Sequence, residues 1–188
     1  ETHPEKALPR LGLQSVLKEL GQRDESEALL IDLLDLRERS LGPEHSDTLA
    51  ALSALARFYS EESDYERAQA RAEDLVERHS TTYGPRHQTT LESRTLLAQT
   101  ARDMGDTESA YHLFLSLYSD QREALGPVHS DTLTTLLFLA NQAADLGQDD
   151  EAEGYFQTLV KARQETEGPH SKGALSAQHF LAMFYNDI

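Results

Sequence analysis

Four of the chain's eight histidines, His3, His45, His87 and His129, recur at one constant step, and two of them open the triplets His45-Ser46-Asp47 and His129-Ser130-Asp131. Imidazoles beside carboxylates are metal-ligand chemistry, and His, Ser and Asp are the parts of a hydrolase. Neither chemistry suits this spacing. A metal needs imidazoles converging within about 2 Å of one ion, whereas residues one helical repeat apart sit a helix-packing distance of about 8–10 Å from each other. A triad needs its histidine between serine and carboxylate in space, with an oxyanion hole beside it; three adjacent residues do not supply that. Each histidine is therefore expected to hydrogen-bond its own interhelix loop. The acidic clusters Asp149-Asp150-Glu151 and Glu61-Glu62 lack the alternating ligands and trailing glutamate of a calcium loop. No glycine-rich phosphate loop, metalloprotease helix or dinucleotide fingerprint occurs. The expectation is a protein with no metal, no cofactor and no enzymatic activity.

Charge narrows the partners. With 17 Lys and Arg against 33 Asp and Glu, the formal net charge is −16. Nucleic-acid binding rests on cationic side chains releasing phosphate counterions, and anionic membranes attract polybasic segments, so both are excluded as expectations. A basic protein or peptide partner suits the field, which also raises its on-rate. Cysteine is absent, which removes disulfides, thiol nucleophiles and zinc-thiolate sites. The longest strongly apolar stretch, Leu133 to Ala140, is far short of the roughly 20 residues of a membrane span. With no signal-peptide pattern at its start, the chain is expected in the cytoplasm.

Positioning is the work of a repeat. Gly-Pro stands at 42–43, 84–85, 126–127 and 168–169. Leu49, Leu91, Leu133 and Leu175 keep the same step, as do Leu13, Leu55, Leu97, Leu139 and Leu181, with Ala56, Ala98, Ala140 and Ala182 directly after the last four. Gly21, Gly105 and Gly147 share a column with Ser63. Such self-similarity marks an array of supersecondary units. Each unit reads as two helices. The first spans about 47–61 in the second repeat, with Ser46 or Asp47 expected as N-cap. Glycine in the following acidic turn suits the left-handed conformation that closes a helix. In the second helix Ala152, Tyr155, Phe156, Leu159 and Val160 make one apolar face, echoed by Ala110, Leu113, Phe114, Leu117 and Tyr118 and by Leu29, Leu30, Leu33 and Leu34. The count is four helical hairpins plus a ninth helix at about 172–186. The repeats fall at about 1–40, 41–82, 83–124 and 125–166, with a partial or capping repeat at 167–188, in a single domain. Because the first repeat opens at His3-Pro4 and the ninth helix has no following partner, the chain is expected to be a segment of something longer.

These columns resemble the tetratricopeptide repeat, in which a small residue after a leucine of the first helix meets an alanine near the start of the second: Leu55-Ala56 with Ala68, Leu97-Ala98 with Ala110, Leu139-Ala140 with Ala152. The period and the linker Leu-Gly-Pro-x-His-Ser-Asp-Thr-Leu at 41–49 and 125–133 are similar to the kinesin-light-chain-like branch. The resemblance implies an all-α, right-handed superhelical solenoid. Departures are visible. Only His3-Pro4 keeps the family's His-Pro, Gln14 and Ser26 replace small packing residues, and His170 comes one place early, so the last loop is expected to be remodelled.

The resemblance also implies that first helices line a concave surface that holds an extended or helical peptide. The inward columns then read Ser15, Arg57, Gln99, Asn141, Met183 and Leu11, Ser53, Thr95, Leu137, His179, with Arg102 one turn below Gln99 where Ser60 and Ala144 stand in neighbouring units. Arg57, Gln99 and Asn141 would form a ladder of donors for a peptide backbone or carboxylate, and Leu137 with Met183 an apolar pocket. The lysine–asparagine clamp that some relatives use on chaperone tails is not matched, and two arginines are too few for acidic cargo. The expected function is a protein–protein interaction scaffold or adaptor, part of a larger regulatory protein. Alternatives are a ligand- or peptide-sensing module controlling an enzyme, and homo-oligomeric self-assembly through the last helix.

Overall fold

The computed structural model describes residues 23–187. Those residues form eight α-helices: α1 (Arg23–Leu41), α2 (Ser46–Glu61), α3 (Tyr65–Tyr83), α4 (Gln88–Met104), α5 (Thr107–Ala124), α6 (Ser130–Asp145), α7 (Asp149–Glu167) and α8 (Lys172–Asp187). The expected first helix of the first repeat, with Leu11, Leu13, Gln14, Ser15 and Gly21, lies outside the described residues. No strand occurs among the described residues, and no described helix is long and apolar enough to cross a membrane. The described residues divide into two compact units, one ending at Thr100 and the other beginning at Ala101, the boundary falling within α4. In the first unit α1 packs on α2 and α2 on α3; in the second, α5 packs on α6, α6 on α7 and α7 on α8.

Helix faces follow the apolar columns. Leu30, Leu33, Leu49, Leu52, Leu55 and Leu75 fill the core of the first unit with Phe58 and Tyr59. In the second unit Phe114, Leu117, Leu136, Leu139, Ala140 and Phe156 are buried. Ala56, Ala98, Ala140, Ala68, Ala110 and Ala152 have no exposed surface, as close helix contact at those columns requires. Ala56 and Ala72 share a cluster with Leu96.

The repeated loop explains the repeated residues. Gly84 has φ 99° and ψ 157°, and Gly168 has φ 92° and ψ 153°, a region that side-chain-bearing residues hardly enter. After the first three loops a buried threonine donates its hydroxyl back to the loop glycine's carbonyl: Thr48 to Gly42 at 2.8 Å, Thr90 to Gly84 at 2.7 Å, Thr132 to Gly126 at 2.9 Å. The histidines cap the next helix. His45 Nδ1 accepts from the Asp47 amide at 3.2 Å, His87 from Thr89 at 3.3 Å and His129 from Asp131 at 3.2 Å. This corrects the expectation of Ser46 or Asp47 as N-cap: the helix starts earlier, directly after the histidine, and the imidazole nitrogen does the work of the usual short oxygen side chain.

The last loop is not remodelled in its backbone. Its Ser171 amide reaches the Gly168 carbonyl at 3.1 Å, like the His45, His87 and His129 amides in theirs. Ser171 stands in the histidine column, and its Oγ accepts from the Ala174 amide at 3.1 Å. The capping group has changed, and the threonine column holds Ala174, which has no hydroxyl to return to the Gly168 carbonyl. In the other turn of the unit, Ser63 takes φ 60°, the one positive φ outside glycine among the described residues; its column is otherwise glycine.

Candidate functional site

In the first unit α2 and α4 flank a cavity of about 340 Å³ floored by α3. Leu49, Leu75 and Leu96 supply its apolar base, Ser46, Ser53, Thr89 and Ser93 its hydroxyls, and Arg57 and Glu92 its charges. Two of the sequence-expected residues, Ser53 and Arg57, are thus brought together. Arg57 is exposed and forms no ion pair among the described residues. Its neighbours differ: Arg78 binds Asp74 at 2.6 Å and Glu38 at 2.7 Å, and Arg67 binds Asp64 at 2.5 Å and also Glu27. In a strongly acidic chain, an arginine left without a carboxylate at the rim of a cavity is a cation available to a ligand.

His79, Tyr83, Glu92 and Ser93 were not found from the sequence. They belong to the second helix and to the far flank of the next first helix, whereas the reading followed the inward columns alone. His79 is buried and its Nδ1 lies 2.8 Å from Ser93 Oγ. Tyr83 links it to His87 by ring contacts at 5.7 and 5.1 Å. Burial pushes the His79 pKa down, opposed by the nearby Glu92 carboxylate. The folded state therefore holds this proton less tightly than the unfolded chain does, and stability is lost as pH falls below the unfolded value of about 6.5. Asp64, Asp106 and Glu167 have lowered pKa values and weaken the fold only at lower pH, near and below the carboxylate range. Between pH 7 and 5 we expect a falling melting temperature, with a shallower fall in His79→Gln; calorimetry across that range measures both slopes.

The second unit carries the equivalent cavity, two repeats further along the chain and about 280 Å³ in volume. Leu133 replaces Leu49, Leu137 replaces Ser53, Leu159 replaces Leu75, Ala177 replaces Ser93 and Phe180 replaces Leu96. The wall is more apolar at these positions, while Thr134, Ser176, Arg163 and Lys172 keep a polar and cationic rim. Leu137 lines this cavity without Met183, so the apolar pocket expected of the two together is not formed here. A further cavity of about 480 Å³ in this unit brings Asn141 and Met183 together with Asp145, Asp149, Phe156, Phe180 and Phe184.

The remaining expected residues sit apart from these cavities. Thr95 turns its hydroxyl back to the Leu91 carbonyl at 2.9 Å. Gln99 is half-buried and His179 exposed. Arg102 donates through Nε and Nη2 to Asp103 Oδ1 at 2.9 and 2.6 Å, and its guanidinium lies 4.8 Å from the centroid of the Phe138 ring.

No cluster of three or more metal-ligating side chains occurs among the described residues. Ser130 donates to Asp131 at 3.3 Å, and His129 Nδ1 is occupied by the Asp131 amide, so the triplet is a cap. The ninth helix of the sequence, α8, buries Ala174, Ala177 and Phe184 but leaves Leu175 50%, Met183 47% and Tyr185 46% exposed. Leu175 thus departs from its column: Leu49, Leu91 and Leu133 are buried.

Comparison with known proteins agrees with this architecture. The family model for the tetratricopeptide repeat matches residues 11–79. A crystal structure of putative kinesin light chain nearly identical TPR-like repeats from Podosopora anserina is similar at TM-score 0.84 and 25% identity, over 99% of this chain and 88% of that one. Two more distant structures share the fold. A Rap protein complexed with competence and sporulation factor matches at TM-score 0.66 and 15% identity, over 100% of this chain and 50% of that one. YrrB, described as a TPR protein with an unusual peptide-binding site, matches at TM-score 0.55 and 12% identity, over 96% of this chain and 87% of that one. Among the curated proteins none matches the chain. Tetratricopeptide-repeat proteins generally mediate protein–protein interaction and are typically not enzymes. With its glycine loops, buried alanine columns and constant repeat step, this chain resembles the kinesin-light-chain-like tetratricopeptide repeats, its residues 11–79 matching the tetratricopeptide-repeat family model.

Proposed function

We propose that this chain is a peptide-binding adaptor, in which first-helix side chains take an extended or helical segment of a partner protein. The observation that carries this reading is the cavity beside Arg57. It joins an unpaired cation and several hydroxyls to an apolar floor, the mix that anchors one side chain and one backbone or carboxylate group of a peptide. The unusual peptide-binding site of YrrB, and the complex of the Rap protein with competence and sporulation factor, are in keeping with it. Arg57, Gln99 and Asn141 act as donors in their respective units; Ser53 and Leu137 set the character of equivalent positions in two cavities, a hydroxyl in one and an apolar side chain in the other. The net charge of −16 favours partners with basic flanks.

Selection from a displayed library of random peptides tests this. Peptides retained by the wild type should lose about tenfold or more in affinity when Arg57, Gln99 and Asn141 are all replaced by alanine, an effect the size of one lost charged hydrogen bond. None of the three is buried, so the variant should keep its cooperative melt. Equal affinity in a folded triple variant would overturn the reading.

The exposed apolar face of α8 supports a second reading, pairing of two copies. Light scattering would then show a mass that rises with concentration, and a monomer mass throughout would dismiss it.

A further inference from the structure

The chain contains its own precedent for what fills the cavity beside Asn141 and Met183. One repeat forward, Arg102, Asp103, Phe114 and Phe138 become Ala144, Asp145, Phe156 and Phe180. At the earlier position the set is complete: Arg102 binds Asp103 and lies over Phe138, which stacks on Phe114 with centroids 5.3 Å apart. At the later position the carboxylate and both rings are kept, the arginine is replaced by alanine, and the cavity stands where its side chain would run. Asp149 adds a second carboxylate to the same wall and Phe184, 5.5 Å from Phe156 between centroids, a third ring. Asp145 accepts one bond, from Gln142 Nε2 at 3.3 Å. Neither Asp145 nor Asp149 has a cationic partner among the described residues.

We infer that this cavity binds an arginine side chain of a partner peptide, its guanidinium stacked on Phe180 and forked to Asp145 and Asp149. Arginine fits better than lysine. A planar guanidinium stacks on a ring while its edge donates two bonds, whereas an ammonium is a compact, strongly hydrated point charge. The inference rests on the peptide-binding reading and names the side chain that one station selects.

The test uses three short capped peptides, Gly-Arg-Gly, Gly-Lys-Gly and the same sequence with citrulline, the uncharged isostere of arginine, titrated into the whole chain by NMR. The arginine peptide should shift the Phe180 and Phe184 ring signals saturably, the lysine peptide more weakly, and the citrulline peptide not at all. Ala144→Arg, which supplies the missing side chain internally, should abolish the response. The double variant Asp145→Asn with Asp149→Asn leaves the shape intact and should weaken it about tenfold, so a misfolded Ala144→Arg would not decide the matter. Equal shifts from arginine and citrulline, or an undiminished response in either folded variant, would overturn the inference. The two readings fail separately. Library peptides lost in the Arg57, Gln99 and Asn141 variant but bound normally by Ala144→Arg would leave the adaptor and remove the arginine station. An arginine response beside library peptides indifferent to the triple variant would do the reverse.

Discussion

Phe114→Ala is expected to cost about 3–5 kcal/mol of stability, the range for emptying a buried aromatic site. Phe114 has no exposed surface and stacks on Phe138 at an interplanar angle of 27°. Its removal withdraws the ring from the core of the second unit and leaves Phe138 without its aromatic neighbour. Since Phe138 is also the ring beneath Arg102, the loss extends to that cation's seat. Helix propensity does not enter, because alanine is the better helix former; the whole effect is packing. Urea denaturation followed by circular dichroism measures it. A loss under about 1 kcal/mol, well short of the range for a filled aromatic site, would mean that the site is looser than its burial indicates.

The glycines offer an opposed pair. Gly84→Ala is expected to destabilise by about 1–3 kcal/mol, because φ 99° with ψ 157° is a strained conformation for any L side chain. No atom lies within 4 Å of the added methyl, so steric contact contributes nothing and the cost is that of the backbone. Gly154 also has open space around a built Cβ, but it lies inside α7, where alanine is favoured by about 1 kcal/mol. Gly154→Ala should therefore stabilise. Melting curves of the two variants should move to opposite sides of the wild type. Movement in the same direction would refute the account of why Gly-Pro recurs.

Much of this was legible in the residues because each unit repeats the same physical problem. Loop glycines, alanine contacts and second-helix faces each recur at one step, and chance does not keep several columns in phase. The histidine caps were less legible. Short oxygen side chains are the common N-caps, and Ser46 and Asp47 stand directly behind His45, so propensity pointed too far along the chain. Extrapolating a column also failed at Leu175. A leucine in the Leu49 position is buried by the second helix of its own unit, and no described helix covers that side of α8.

The cavities were half-read. Following the inward columns found Ser53, Arg57, Leu137, Asn141 and Met183, which border open space. It passed over the residues on adjoining faces that complete those spaces, His79, Glu92 and Phe180. The sequence held only the parts of the second unit's arginine-shaped space: Leu96, Phe138 and Phe180 form a column beside the leucines, and Ala144 stands in the place of Arg102. Arginine stands in that column at 102 alone, with Ser60 and Ala144 on either side, so the residues by themselves mark no vacancy; the stacked geometry of Arg102 on Phe138 gives the space beside Phe180 its shape.

The most direct test of the central claim is to map where a library-selected peptide lands, by NMR chemical-shift changes on the isotope-labelled chain. The adaptor account predicts that the largest changes fall on Ser53, Arg57 and Glu92 in the first unit and on Leu137, Asn141, Phe180 and Met183 in the second. Changes confined to exposed second-helix residues such as Glu73, Glu77 and Glu165 would contradict it and move the working surface to the other side of the hairpins.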